Sequence, residues 1–157
     1  MKKNRTSDQL LSEIRQLDVV MENGKVVTFD VARELRISND PDRMRRQAMT
    51  GHSRYFFWEY QAARAMSALR EKETSLAKLE GNKRFSYSRV MKDDDPYTSS
   101  AQVEGMVAGD KDVLAARNEL TELREHWTIL RALASAHDHR AHALRRLLAK
   151  DQDSTKS

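Results

Sequence analysis

Between Asp110 and Ala149, apolar residues return at alternating intervals of three and four, and this register constrains the fold more than any other feature of the chain. Counted in sevens from Val113, one position holds Val113, Leu120, Trp127, Ala134, Ala141 and Leu148. The position three residues later holds Ala116, Leu123, Leu130, His137 and Leu144. Such spacing lays one narrow apolar stripe along an α-helix and keeps it in line over five heptads. The positions between are charged or polar: Arg117, Glu119, Glu122, Arg124, Glu125, Arg131, Arg140 and Arg145. Asp110, after Gly109, is placed to accept hydrogen bonds from the free N–H groups of the first turn. Arg145, Arg146 and Lys150 put positive charge where a helix C-terminus favours it. At about 1.5 Å per residue such a helix is roughly 60 Å long, and its stripe requires other helices to cover it. Val113, Leu120, Leu123, Trp127, Leu130 and Leu144 are therefore the candidate self-association positions.

Composition points the same way. Of 157 residues, 39% are hydrophobic and 33% charged, with a mean hydropathy of −0.79. That is apolar-poor beside the roughly 45–50% of a usual globular chain. Five Gly and two Pro leave little to interrupt long helices. The fold expected is all-α, with two long amphipathic helices and short N-terminal elements, assembled into a helical homo-oligomer. Without cysteine there is no disulfide framework and no thiolate chemistry, which fits a reducing cytoplasm. The basic start Met1-Lys2-Lys3-Asn4-Arg5 leads into no apolar run, so neither a signal peptide nor a membrane span is expected. The net charge of +4 is unevenly spread. Residues 1–92 hold 19 Lys or Arg against 12 Asp or Glu, a balance of +7, whereas residues 93–157 stand at −3. A polyanionic partner for the first part follows from that asymmetry.

Taken in order, Ser7–Asp18 has the spacing of a short amphipathic helix, with Leu10, Leu11, Ile14 and Leu17 on one face. Asn23-Gly24 between two apolar runs is a hairpin signal. Asp30–Arg36 reads as another short helix. Asn39-Asp40-Pro41 starts a long one, expected to reach about Asn82, with Gly51 as its only internal weak point. Ala48, Tyr55, Ala62, Leu69 and Leu76 fall seven apart on it, with Trp58, Ala65 and Leu79 on the same side. The rings between Tyr55 and Tyr60 span more than one face, so some must meet neighbours other than the stripe helix. Residues 81–99 are expected as a linker, with Asp93-Asp94-Asp95-Pro96 as an acidic turn, and Ser99 or Ser100 caps a short helix ending near Ala108. The tail from Asp151 is polar and expected to be disordered. The expected segments are thus an N-terminal extension (1–37), a long helix with its linker (38–99), C-terminal oligomerisation helices (100–150) and a tail (151–157).

Catalytic signatures are absent: no phosphate-binding loop, dinucleotide fingerprint, HExxH or Gly-x-Ser-x-Gly. His139 and His142 share a helical face, but His137 points away from His139, so no metal site is expected there. Asp93 to Asp95 lack the Gly and the later Glu of a calcium loop. No enzyme activity and no cofactor is expected. One segment carries binding chemistry. Lys78, Lys83, Arg84 and Arg89 offer cations for phosphates, and Phe85 and Tyr87 offer flat faces for unstacked bases. The same residues also suit a structural role, in which the cations serve a helix C-terminus and the rings anchor a linker.

The run Val107-Ala108-Gly109-Asp110-Lys111-Asp112-Val113-Leu114, followed by Trp127 and Ile129-Leu130, resembles the C-terminal part of the phage recombination mediator UvsY family. His139-Arg140-Ala141-His142-Ala143-Leu144-Arg145 is similar to the same family, which usually shows Arg-Gly where this chain has Arg140-Ala141. Upstream, Trp58 in a long helix precedes the basic and aromatic segment Lys83-Arg84-Phe85-Ser86-Tyr87, and the similarity extends over residues 38–150. The first 37 residues are outside it. The resemblance implies an all-α, ring-like homo-oligomer of six or seven subunits joined through C-terminal helices. It implies binding of single-stranded DNA and loading of a RecA-like recombinase onto DNA covered by single-strand-binding protein, in the cytoplasm of a bacterial host. Lys83 matches one of the family's basic positions; Gly81 occupies another, for which Arg84 is the substitute. A structural coiled-coil adaptor with no nucleic-acid role is the second reading, distinguished by the absence of salt-dependent affinity for single-stranded DNA.

Overall fold

The computed structural model of the chain describes residues 7–94 and 99–154. Its elements are α1 (Ser7–Glu13), β1 (Gln16–Val20), β2 (Val26–Asp30), α2 (Val31–Leu35), α3 (Pro41–Asp94), α4 (Ser100–Gly109) and α5 (Lys111–Ser154). The described residues are mostly helical, with two long helices and one small sheet among them. Among the described residues, no helix is long and apolar enough to cross a membrane.

Local chemistry sets most of the boundaries. Asp40 Oδ1 accepts from the backbone N–H groups of Asp42 and Arg43 and so caps α3 ahead of Pro41. Ser99 caps α4 in a reciprocal arrangement with Gln102. Asp110 Oδ1 accepts from the N–H groups of Asp112 and Val113 at the start of α5.

Three expectations are corrected. Residues 81–99 are not a linker: α3 continues to Asp94 through Gly51 and Gly81. Glycine costs a helix about 1 kcal/mol, and beyond Gly81 the helix is held by side-chain bonds from Lys83, Arg84 and Tyr87 to α4 and the start of α5. Asp95 and Pro96 of the expected acidic turn lie outside the described residues. The helix expected over Ser7–Asp18 stops at Glu13, because Leu17 and Val19 alternate inward with Gln16, Asp18 and Val20 exposed, the period of a strand. Residues 151–154, expected within a disordered tail, continue α5.

The chain divides into two compact units, Met1–Ala63 with Trp127–Ser157, and Arg64–His126. Each unit takes a segment of α3 and a segment of α5.

In the first unit, β1 and β2 pair antiparallel from Gln16↔Asp30 to Val20↔Val26, turning at Gly24, whose φ of 76° favours a residue without Cβ. The hairpin brings Phe29 within 5.8 Å of Phe57 and, edge-on, 4.9 Å of Trp58 (ring centroids), giving the α3 rings the second neighbour they require. Trp58, Leu130, Leu133 and Leu144 are fully buried, and Leu11, Leu17, Val19 and Val31 are buried in the same unit. The α3 and α5 segments run antiparallel and come close together at Gly51, where an added Cβ would lie 2.9 Å from Ala141 Cβ.

In the second unit, Leu69 of α3, Val103 and Val107 of α4 and Val113 and Leu120 of α5 are buried. Glu73 pairs with Arg124 and Glu80 with Arg117, so the two helix segments here also run antiparallel. Lys72 and Glu119 form a third ion pair between them.

Candidate nucleic-acid interface

Continuing α3 past Gly81 sorts the predicted binding residues onto two faces. Lys83, Arg84 and Tyr87 turn toward α4 and the start of α5. Lys83 Nζ lies 2.9 Å from Asp110 Oδ2 and 2.7 Å from Asp112 Oδ2. Arg84 forks onto Glu104, with Nε and Nη2 donating at 2.5 and 3.1 Å. Tyr87 donates its hydroxyl to Asp110 Oδ2 at 2.5 Å. The bonds from Tyr87 and Lys83 hold the Asp110 carboxyl well below the usual carboxylate range, and the hydrogen bonds to Asp112 and Asp110 hold the Lys83 ammonium above the usual lysine range. One carboxylate thus caps α5, anchors a tyrosine and pairs a lysine. Lys83 and Arg84 are charged but locally neutralised, so a phosphate competes with carboxylates for them.

The other three residues share the opposite face. Lys78, Phe85 and Arg89 are spaced seven and four apart, which puts them in one row along a helix, with Asn82 between and Lys92 three further on. All five are exposed, Phe85 at 72% of its surface. Among the described residues, Lys78, Arg89 and Lys92 have no ion-pair partner. An exposed ring flanked by unpaired cations has the two components that hold a single strand without reading its sequence: charge for phosphates and a face for a base. Lys92 is missing from the sequence-predicted set. Its spacing from Lys78 completes the row only once α3 is known to reach Asp94.

The α5 stripe is also divided. Val113, Leu120, Leu130 and Leu144 are buried within the chain, as are Ala134, His137 and Ala141. The ridge expected to need other subunits is thus largely covered by the chain itself. Leu123 and Trp127 are half-buried, and Trp127 carries Arg131 over its ring at 5.7 Å. Leu114, exposed at 44%, lies off the stripe.

The residues that carry the resemblance near the C-terminus have structural partners in the first unit. Arg140 donates from Nη1 to the Glu34 carbonyl at 2.6 Å and from Nη2 to the Arg36 carbonyl at 2.8 Å, closing the C-terminal end of α2. Ala141 sits against Gly51. His137 is 1% exposed and stacks beside Trp58, 6.3 Å between centroids. Glu34 Oε2, 3.8 Å from His137 Nε2, is shared with Arg54 at 3.5 Å. Burial, reinforced by the charges of Arg140 and Arg54, pushes the His137 imidazole down to about 4. His142 faces Asp138 instead, at 3.7 Å. The three histidines are therefore not brought together, and among the described residues no group of three His, Asp or Glu has the arrangement of a metal site.

No family model, no characterised protein and no solved structure matches this chain.

Proposed function

We propose that the chain is a non-enzymatic, single-stranded DNA-binding protein that holds the strand along the outward face of α3 through Lys78, Phe85, Arg89 and Lys92. The observation that carries this reading is the row itself: three unpaired cations and an exposed ring in helical register. The excess positive charge of residues 1–92 supports it from a distance. Its place in DNA metabolism comes from the resemblance to the UvsY family. On that ground the protein is a recombination mediator that loads a RecA-like recombinase onto DNA covered by single-strand-binding protein, working as a homo-oligomer. One row per subunit is a weak site, and linking several raises the effective concentration so that a strand is held while single phosphates exchange. Leu123 and Trp127, the two candidate self-association positions with surface to spare, are the ones left to meet another subunit.

A second reading, a helical adaptor without nucleic acid, is favoured by Met49 and Phe56. They lie seven apart on α3 and are exposed at 81% and 65%, a pairing that suits a protein partner better than a phosphate backbone. Titration of a labelled oligothymidylate at several salt concentrations separates the two. The proposal expects affinity that falls steeply with salt and depends little on base sequence. No measurable binding at low salt leaves the adaptor.

A further inference from the structure

The loop between α2 and α3 sets three arginines around one surface cavity. Arg33 comes from α2, Arg36 caps its C-terminus and Arg43 lies in the first turns of α3; together with Ile37, Asp40 and Gln47 they line a cavity of about 580 Å³. All three arginines are exposed, and among the described residues none has an ion-pair partner. Arg45, close by in sequence, shows the contrast: it is tied to Asp42 at 3.1 Å. The lining carboxylate, Asp40, is turned to the helix, its Oδ1 accepting from the N–H groups of Asp42 and Arg43 at 2.9 and 3.0 Å. Three arginines therefore line the cavity with a single carboxylate, which is already engaged by the helix.

The backbone beneath them is fixed. Gln47 reaches back from α3 to accept from the Ser38 N–H at 3.1 Å and to donate to the Arg36 carbonyl at 3.2 Å. Arg140 donates to the same carbonyl and to that of Glu34. Loop order is thus established without the side chains of the three arginines, which are left over. Guanidinium groups match phosphate oxygens two at a time, which is why such clusters select phosphate over a simple halide. The cavity has room for more than one phosphate, and Ile37 is the one apolar side chain among its lining, with no ring to stack a base. Its occupant is recognised by charge and not by base.

We propose that the Arg33, Arg36 and Arg43 pocket is a phosphate-binding site. Its occupant is the backbone of a nucleic-acid strand, a part of the claim that rests on the function proposed above, whereas phosphate recognition itself does not.

Pyrophosphate is the probe for the pocket, with sodium chloride at matched ionic strength as control. It is expected to raise the melting temperature of the full chain at millimolar concentration and to leave R33Q/R36Q/R43Q unmoved. The arginines are exposed, so this variant keeps its helical circular dichroism; Arg43→Gln alone, with a reduced shift, is the milder check. An equal pyrophosphate effect on both proteins, or none on either, overturns the site. The source of the phosphate is read from single-stranded DNA. If a strand occupies the pocket, the slope of log affinity against log salt becomes shallower by about 2 in the triple variant, at about 0.7 for each phosphate no longer neutralised. A pyrophosphate shift confined to the wild type with an unchanged DNA slope assigns the pocket to a free phosphate compound. A pyrophosphate shift in a wild type that binds no DNA at low salt keeps the pocket and rejects the DNA reading.

Discussion

Gly51 is the point where the α3 and α5 segments of the first unit approach too closely for a side chain, and Gly51→Ala measures that approach. On an exposed helix this exchange stabilises by about 1 kcal/mol, because glycine is the poorer helix former. Here the new Cβ would lie 2.9 Å from Ala141 Cβ and 3.6 Å from Ala141 Cα. Carbon atoms rest at about 3.5–4.0 Å, so the helices must part locally by roughly 0.6–1 Å. The neighbour is a short side chain on a helix, with no flexible end to swing aside. Trp58, His137 and Leu144, packed in the same core, are drawn apart as the gap opens. Forced overpacking of this kind costs about 1–3 kcal/mol, so the variant is expected to be less stable than wild type by up to about 2 kcal/mol. The companion Ala141→Gly removes the obstructing Cβ at a propensity cost of about 1 kcal/mol. The double variant, with the two residues exchanged, should therefore be more stable than the sum of the singles by about 1–3 kcal/mol. Urea unfolding followed by tryptophan fluorescence is the assay, since Trp58 is fully buried in this unit. A Gly51→Ala protein stabilised by about 1 kcal/mol, with no coupling to Ala141→Gly, would refute the close approach.

Other expectations follow from the same structure. An unfolded chain holds a histidine near 6.5, while His137 in the fold is pushed down to about 4, so between those values the unfolded state binds a proton that the fold refuses. Stability should thus fall by about 3 kcal/mol as pH is lowered through that window, and His137→Gln should flatten the dependence; a wild-type profile already flat between pH 7 and 4 contradicts it. Asp110→Ala removes the α5 cap and strands Tyr87 and Lys83, so its urea midpoint should drop further than that of Asp112→Ala, whose carboxylate meets Lys83 alone. Equal midpoints would deny Asp110 its central role. Light scattering should find a homo-oligomer larger than a dimer at micromolar concentration, reduced in size by Leu123→Asp or Trp127→Asp. A folded wild-type monomer ends that expectation.

What the sequence disclosed was governed by local chemistry. Asp110, Ser99 and Asp40 announce their helices because a capping oxygen acts on N–H groups two or three residues away. Asn23-Gly24 announces the hairpin because the turn needs a positive φ. Three things were not legible, each decided by distant partners. Leu10 to Leu17 fits a helical face as well as it fits the strand in which Leu17 is buried opposite Phe29 and Val19 opposite Val27. Gly81 looks like a terminus until the bonds from Lys83, Arg84 and Tyr87 are known. The heptad stripe of α5 says that a helix must cover it and not which one, and α3 of the same chain covers much of it. The candidate site was legible as a segment only. Charge and rings between Lys78 and Arg89 are plain in the sequence, but Glu104, Asp110 and Asp112, which neutralise half of it, come from 20 or more residues away.

That division of the segment is tested most directly by salt-dependent binding of single-stranded DNA to variants that remove charge from one face or the other. Lys78→Ala, Arg89→Ala and Lys92→Ala combined should make the slope of log affinity against log salt shallower by about 2, three phosphates at about 0.7 each. Phe85→Ala should lower affinity by about 1–3 kcal/mol with little change of slope. Lys83→Ala with Arg84→Ala, whose cations already face carboxylates, should leave the slope near that of the wild type. The reverse pattern, a slope that flattens without Lys83 and Arg84 and persists without Lys78, Arg89 and Lys92, would contradict the placement of the strand on the outward face of α3.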